Sequence, residues 1–490
     1  MDSFDLLIVG GGINGAAIAR DAAGRGLDVL LVEKDDLAAH TSSASSKLIH
    51  GGLRYLERYE FRLVRESLHE RAILLATAPH IVRPLRFILP DPPGGRPWWL
   101  IRLGLFAYDL LAGRGGLPRS RGVGRGDAAL RAPLRPGHRL ATYWDAWADD
   151  ARLVVLNALD AHERGAEIAT RTELLSARRD GEAWTAELSG GRTVRARMIV
   201  NAAGPWVADV LGQRLGIESR SRVRLVKGSH ILVPRLWQGD HAYILQQEAD
   251  GRIVFALPYG DHSLIGTTDV AVARPEEAVI APDEIAYLCA AANAYFVAQT
   301  APGDVIWSYS GVRSLYDDGA ARPKDVTRDY HLELDPAPGP KLLSVFGGKL
   351  TTARALALEA LDLLGVGGLR FTAGSTLPGG NVSAAFNAWL ESLAAWLPAP
   401  LLGRLAAAYG TRLERLLGGG ASLADLGRHF GAGLYEKEVR YLIDVEFART
   451  ADDILWRRTK LGLAMTKQEQ KALAAWLHKA SPRWGRVGWE

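Results

Sequence analysis

Gly10, Gly12 and Gly15 stand in a Gly-x-Gly-x-x-Gly spacing directly after the apolar run Phe4-Asp5-Leu6-Leu7-Ile8-Val9, and Leu30-Leu31-Val32-Glu33 closes a second apolar run. Between a strand and a helix, the first glycine permits a tight turn and the second lets the backbone approach a pyrophosphate. The third lets the helix pack closely, with its N-terminal N–H groups facing the phosphates. Glu33, at the end of the second strand, is placed to accept hydrogen bonds from the hydroxyls of an adenosine ribose. The chemistry implied is the binding of a dinucleotide.

Glycine turns return later in the chain. Arg195 to Asn201 reads as a buried strand running into Ala202-Ala203-Gly204-Pro205-Trp206, and Leu342 to Phe346 runs into Gly347-Gly348 ahead of Lys349-Leu350-Thr351-Thr352. A nicotinamide unit uses one glycine turn. FAD is longer, and its ring must be held by groups remote in sequence from those that hold its adenosine. A helix N-terminus following Gly347-Gly348 would stabilise the negative charge that reduction places on the pyrimidine end of the ring. The expected cofactor is therefore non-covalent FAD.

Stepping from these residues to the elements that carry them, 490 residues are too many for one core and imply two or three domains. With 48% hydrophobic and 23% charged residues the chain reads as globular rather than disordered. The single cysteine, Cys289, excludes an internal disulfide and a cysteine-ligated metal cluster, and no metal is expected. The N-terminus has no basic patch followed by an apolar run, so no cleavable signal is expected and a cytoplasmic location is. Alternation in Arg222–Pro234, Tyr243–Gln247, Ile253–Pro258 and Ser263–Thr267, with Asp250-Gly251 as a hairpin turn, predicts an inserted antiparallel sheet. After Pro378-Gly379-Gly380 the texture becomes amphipathic and rich in Ala, Leu and Arg, interrupted by Gly418-Gly419-Gly420, which predicts helices. The fold class expected is α/β. A Rossmann-like FAD-binding domain is drawn from 1–75, 145–220 and 300–374, an antiparallel-sheet substrate domain from 76–144 and 221–299, and an all-helical C-terminal domain from 378–490.

Charge is unevenly spread. Between Arg96 and Arg139 nine arginines face only Asp109 and Asp127, so an anionic partner is expected. The front half, Trp98 to Leu111, is an apolar helix whose two charges, Arg102 and Asp109, share one stripe. It is too short to span a bilayer. Two readings stand: a helix lying in the membrane surface with arginines on anionic headgroups, or a core-facing helix followed by a solvated basic loop. No aromatic-stacking or helix-turn-helix pattern accompanies the arginines, so nucleic acid is not expected as a partner.

Between the first helix and that segment lies Thr41-Ser42-Ser43-Ala44-Ser45-Ser46-Lys47-Leu48-Ile49-His50-Gly51-Gly52-Leu53-Arg54-Tyr55. This block and the N-terminal fingerprint closely resemble the FAD-dependent (aerobic, respiratory) glycerol-3-phosphate dehydrogenase family. So, in order, do Lys227-Gly228-Ser229-His230, Gly266-Thr267-Thr268-Asp269, Gly311-Val312-Arg313, Thr327-Arg328-Asp329-Tyr330, Val345 to Thr352, Glu438-Val439-Arg440 and Asp453 to Gly462. The resemblance runs essentially end to end. It implies a D-amino-acid-oxidase-like flavoprotein fold, a substrate domain over the flavin, a helical cap, attachment to the inner face of the cell membrane, a quinone as electron acceptor and a homodimer.

The resemblance also distributes roles. Cofactor contacts fall on Gly10, Gly12, Ile13, Asn14, Gly15, Glu33, Lys34, Thr41, Ser42, Ser45, Lys47, Leu48, His50, Gly51, Gly52, Ala202, Ala203, Gly204, Trp206, Gly311, Gly348, Lys349, Leu350 and Thr351. Substrate contacts fall on Arg54, Tyr55, His230, Thr268, Arg313 and Arg328, with His230, Arg313 and Lys349 as the catalytic set. Two arginines can grip phosphate oxygens of sn-glycerol 3-phosphate bidentately. Hydride transfer from its C2 to FAD requires a base for the hydroxyl proton. His230 is the first choice because imidazole titrates near working pH, and His50 is the rival. An oxidase that makes peroxide from the same substrate, or a 2-hydroxy-acid dehydrogenase, remains open. Lys227 is expected to be structural, and the Arg457-Arg458-Thr459-Lys460 cluster is expected at solvent or an interface.

Overall fold

The computed structural model describes residues 1–53, 56, 59–91, 96–113, 116–124, 126–219, 221–248, 251–317 and 329–480. The apolar run at the N-terminus becomes the central strand Asp2–Val9. It pairs in parallel with Val29–Glu33 on one side and Thr193–Asn201 on the other, and Lys341–Phe346 continues the parallel order beyond Thr193–Asn201. Leu6, Leu7, Ile8, Leu30 and Leu31 have no exposed surface, because both faces of the sheet are covered. The helices Ile13–Gly24, Asp150–Glu163 and Ala353–Leu363 bury one face, and the hairpin Leu174–Asp180/Ala183–Leu188 with Val207 and Leu211 buries the other. This connectivity brings Gly10, Glu33, Ala202 and Gly347 to the same edge of the sheet, where α/β folds bind ligands.

The second sheet is built on Val223–Pro234. That strand pairs antiparallel with His262–Gly266 and, over most of its length, with Trp307–Tyr316. Ile253–Tyr259 and Ala242–Gln246 follow in antiparallel order, as the alternation predicts. Gln246 pairs with Ile253 across their turn, whose Gly251 has φ +66°, while Asp250 lies outside the described residues. Val82–Pro90 and Leu140–Ala148 extend the sheet, and Leu48–Ile49 pairs at its edge. Strand pairing thus divides the layers at points other than 145 and 300. Leu140–Ala148 and Trp307–Tyr316 both belong to the second sheet, a consequence of long-range pairing that no local pattern reports. Along Val223–Pro234, Ile231 and Val233 face a core closed by the helix Pro282–Asn293, whereas Leu232 faces the opposite side. The period of two puts His230 and Gly228 on the Leu232 side.

The C-terminal helices Ala384–Leu393, Ala399–Tyr409, Leu413–Leu417, Glu436–Asp444 and Lys467–Ala480 enclose a core of their own, joined by one short ladder, His429–Gly431 with Leu434–Tyr435. Gly418 ends a helix in the left-handed region at φ +52°. The basic cluster 457–460 is turned toward the first domain rather than out to solvent, with Arg458 buried and Arg457 and Lys460 half-buried in ion pairs. Arg458 grips Asp36 of the first domain through two bonds of 2.7 and 2.8 Å, and Arg152 pairs with Glu446 across the same junction. Arginine at such a junction is stable because each buried carboxylate is met by a matched fork of donors.

Candidate functional site

A cavity of about 970 Å³ runs from the glycine edge of the parallel sheet to the second sheet. Its first wall is mostly backbone. Gly10 has φ +114°, and a Cβ there would lie 2.5 Å from the Ala202 carbonyl oxygen; a Cβ on Gly15 would lie 1.9 Å from the Gly10 oxygen. The fingerprint glycines therefore allow one turn to nest against another, with Gly12 capping the helix Ile13–Gly24. The Ile13 N–H donates to Ser42 Oγ at 3.0 Å. Glu33 accepts from the N–H groups of Gly11 (2.7 Å) and Asp35 (2.8 Å), and burial pushes its carboxyl above the usual range. Each of its oxygens retains acceptor capacity for a ribose hydroxyl.

The late turn reaches the same place. Asn14 Nδ2 donates to the Gly347 carbonyl at 3.0 Å, and a Cβ on Gly348, at φ +97°, would fall 2.7 Å from that amide. The helix after this turn starts at Ala353, so Lys349, Leu350 and Thr351 line the cavity as a bend ahead of it. Trp206 flanks the Glu33 end of the cavity, with Lys34 Nζ 4.6 Å from the centre of its ring and His40 4.5 Å away.

The serine-rich loop forms the floor. Thr41 donates to the Val312 carbonyl at 2.7 Å, Ser45 donates from N and Oγ to Asp150, and Ser46 Oγ lies 2.8 Å from His230 Nε2. His50 lines the cavity 6.2 Å from Phe255.

The second wall is made of side chains. His230 is buried and stacks on Tyr309 at 4.8 Å, and its Nδ1 has no partner among the described residues. Burial first, then the Arg313 and Lys47 cations, hold its imidazole well below the usual value, so the ring is neutral. Gly266 on the neighbouring strand leaves it room, since a Cβ there would lie 2.0 Å from the ring. Arg313 forms an ion pair with Asp269 and donates to Thr267 Oγ1 at 3.2 Å, over Gly228, whose Cβ would come within 2.6 Å of the guanidinium.

Most of the expected residues converge here: Gly10, Gly12, Ile13, Asn14, Glu33, Lys34, Thr41, Ser42, Ser45, Leu48, His50, Gly52, Ala202, Ala203, Gly204, Trp206, His230, Gly311, Arg313, Gly348, Lys349, Leu350 and Thr351 all line the cavity. Four do not. Gly15 lies beneath the turn. Lys47 turns under the floor at φ +57° and pairs with Asp150 at 2.9 Å. Gly51 donates its N–H to the Tyr108 hydroxyl at 2.8 Å, and the Thr268 hydroxyl donates to the buried Glu284 at 2.6 Å. Lys227 pairs with that same Glu284 at 2.7 Å, the structural place expected of it. Arg54, Tyr55 and Arg328 lie outside the described residues. Sequence reasoning missed Ser46 and Asp269 as individual residues, although both stand in the blocks quoted above. It also missed an apolar end of the cavity formed by Leu100, Ile101, Ala107, Leu89 and Phe255.

The residues present fit FAD: a glycine cradle with no room for Cβ atoms, a buried acceptor at Glu33, and an Asn14 Oδ1 that has no partner among the described residues. Residues 5–354 match the family of FAD dependent oxidoreductases, and 371–486 match the C-terminal domain of alpha-glycerophosphate oxidase. The chain is 53% identical over 499 residues to a glycerol-3-phosphate dehydrogenase of Pseudomonas aeruginosa, covering 99% of this chain and 97% of that protein. The chain belongs to the FAD-dependent glycerol-3-phosphate dehydrogenase family. It is also 49% identical to a D-erythritol 1-phosphate dehydrogenase of Brucella abortus, covering 98% of this chain and 99% of that one. A crystal structure of a glycerol-3-phosphate dehydrogenase from Bacillus halodurans with FAD superposes with a TM-score of 0.71 at 26% identity, covering 97% and 94% of the two chains. The protein is an FAD-dependent oxidoreductase with the fold its sequence implied.

Proposed function

We propose that the protein oxidises sn-glycerol 3-phosphate to dihydroxyacetone phosphate and passes the electrons to a membrane quinone. The observation that carries this reading is the convergence of a neutral imidazole and an arginine fork, His230 and Arg313, on the cavity that the glycine turns enter from the other side. Arg313 grips the phosphate and shares its five donors between it and Asp269. Arg54, Tyr55 and Arg328 complete the clamp in the roles the resemblance gives them. His230 accepts the proton of the C2 hydroxyl at an imidazole nitrogen. A phosphate dianion on Arg313 offsets the cation that depresses the imidazole, so substrate binding raises the basicity of the group that must act on it. FAD, when bound, supplies the two-electron acceptor for the C2 hydride. Lys349, in the late turn, places positive charge along the cavity where negative charge develops.

The helix Trp98–Ala112 supports the membrane part of the reading. Leu105 and Tyr108 pack inward, while Trp99, Leu103, Phe106 and Leu110, spaced along one stripe, are each more than half exposed. Among the described residues no helix is long and apolar enough to cross a membrane. A bare apolar stripe beside arginines suits the interface of an anionic bilayer, and the apolar end of the cavity opens beside this helix, where a quinone ring could approach.

Anaerobic addition of glycerol 3-phosphate to the purified yellow protein is expected to bleach its visible flavin absorbance. Bleaching by D-erythritol 1-phosphate but not by glycerol 3-phosphate would move the substrate to the longer polyol, and bleaching by neither would sink the reading. Reoxidation by a soluble quinone with little peroxide separates the dehydrogenase from an oxidase. Trp99→Ser with Phe106→Ser is expected to abolish co-sedimentation with anionic vesicles and leave flavin reduction unchanged.

A further inference from the structure

Among the described residues the helical C-terminal domain contributes no side chain to the cavity, yet two lines of contact run from it to His230. The first is aromatic. Trp456 stacks on Trp307 with ring centres 5.0 Å apart and planes 17° from parallel; Trp307 lies 5.1 Å from Tyr309, and Tyr309 stacks on His230 at 4.8 Å and 14°. Gly462 makes room for the first member, because a Cβ there would lie 2.6 Å from the Trp456 indole. The second line is polar. Lys460 Nζ donates to Asp149 Oδ1 at 2.7 Å, and the adjacent Asp150, fully buried, accepts from Ser45 N and Oγ and pairs with Lys47. The two lines meet where the Tyr309 hydroxyl donates to the Ser45 carbonyl at 2.8 Å, one residue before the Ser46 hydroxyl that bonds His230.

We propose that Trp456 and Lys460 are positioning residues, through which the helical domain sets the ring plane and hydrogen-bond partner of His230. The inference rests on the reading of His230 as the proton acceptor. Its physical content is that Tyr309 cannot turn without losing either its stacking on His230 or its contact with Trp307, whose plane is 42° from its own, and that the serine loop cannot shift without breaking bonds to a buried carboxylate. The match of residues 5–354 to the oxidoreductase family covers both cavity walls, while 371–486 match a separate domain. Among the described residues, Trp456 and Lys460 of the 453–463 segment are where that domain meets the aromatic line and the serine loop's carboxylate support, which makes the segment the place where it can act on chemistry.

The test uses holoenzyme carrying Trp456→Ala, Trp456→Phe, Lys460→Met, His230→Asn and the pair Trp456→Ala/His230→Asn. Flavin reduction by glycerol 3-phosphate is followed by anaerobic rapid mixing across pH, and the His230 imidazole is followed by NMR. Trp456→Ala is expected to slow reduction between about 10- and 100-fold, the scale of a misplaced reacting group, with substrate saturation changed less than about twofold. The imidazole titration should move toward its ordinary value, Trp456→Phe should recover most of the rate, and the double variant should be no slower than His230→Asn alone. Lys460→Met is expected to slow reduction in the same sense and serves alone if Trp456→Ala fails to fold. Reduction and imidazole titration unchanged in Trp456→Ala and Lys460→Met, or a double variant whose losses add, would overturn the proposal. Unchanged reduction in His230→Asn would instead overturn the reading on which it rests.

Discussion

One wall of the cavity is backbone and the other is side chain, and the two tolerate change in opposite ways. Gly10 and Gly348 on the glycine wall, and Gly15 beneath it, matter through what they lack: each Cβ would lie within 2.7 Å of a neighbouring atom. On the opposite wall His230 and Arg313 matter through what they carry, and glycines Gly228 and Gly266 serve only to clear space for them. A backbone wall recognises a phosphate chain of fixed chemistry and fails as a unit with the fold. A side-chain wall can be altered at the level of substrate while the cofactor stays bound.

The largest break in that comparison is expected from Gly15→Ala. The new methyl would sit 1.9 Å from the Gly10 oxygen, backbone that cannot move aside, so the helix must leave the strand. Purified material should carry little or no flavin, read as the ratio of visible to protein absorbance, and its melting temperature should fall by the several degrees that an overpacking cost of about 1–3 kcal/mol implies. Gly212→Ala, where nothing lies within 4 Å of the added atom, should keep its flavin. Flavin retained in Gly15→Ala would remove the distinction between the walls. Arg313→Ala should do the reverse: full flavin content, with kcat/KM for glycerol 3-phosphate lower by about 100-fold, the worth of a charge-assisted hydrogen-bond pair at about 1.5–3 kcal/mol. Arg313→Lys should recover only part, because an ammonium cannot repeat the fork.

The same contrast explains what could be read in advance. The parallel strands, the glycine turns and Glu33 are local features: a run of apolar residues, a spacing of glycines and a carboxylate at a strand end, all settled within a few residues. His230 could be assigned only by likeness to a family, because its surroundings come from Ser46, Gly266 and Tyr309, scattered over the chain and brought together by strand register. Thr268 and Lys47 show the cost of reading a block without its register. One residue along the same strand end, Thr267 and Asp269 line the cavity while Thr268 turns back to Glu284, and the left-handed backbone of Lys47 sends its ammonium under the floor. The basic cluster 457–460 looked like surface because lone arginines usually are; beyond Asp453, one turn before Arg457, its partners Asp36 and Asp149 lie in distant parts of the chain.

A smaller effect sharpens the comparison through pH. Glu33, on the glycine wall, has its carboxyl raised above the ordinary 4.5 by burial, so the folded state keeps a proton the unfolded chain has released. Its contribution to stability is present at low pH and is lost as pH rises above 4.5 through the folded value. His230 is depressed below the ordinary 6.5 by burial and by Arg313 and Lys47, so the unfolded chain takes up a proton that the folded state refuses. Its contribution is present above pH 6.5 and is lost as pH falls below it. Each slope is bounded at about 1.4 kcal/mol per pH unit, with opposite signs. Melting temperatures of the flavin-free protein between pH 4.5 and 7.5 are therefore expected to gain at the acid end in His230→Asn, and in Glu33→Gln to lose the decline toward neutral pH, because each neutral side chain escapes the cost of burying a charge. Added FAD should flatten the Glu33 slope alone, since ribose hydroxyls that donate to the carboxylate pull it back toward its ordinary value. If FAD left the Glu33 slope untouched while still raising the melting temperature, the ribose would be held by some other group, and the assignment of Glu33 to the adenosine end would fall.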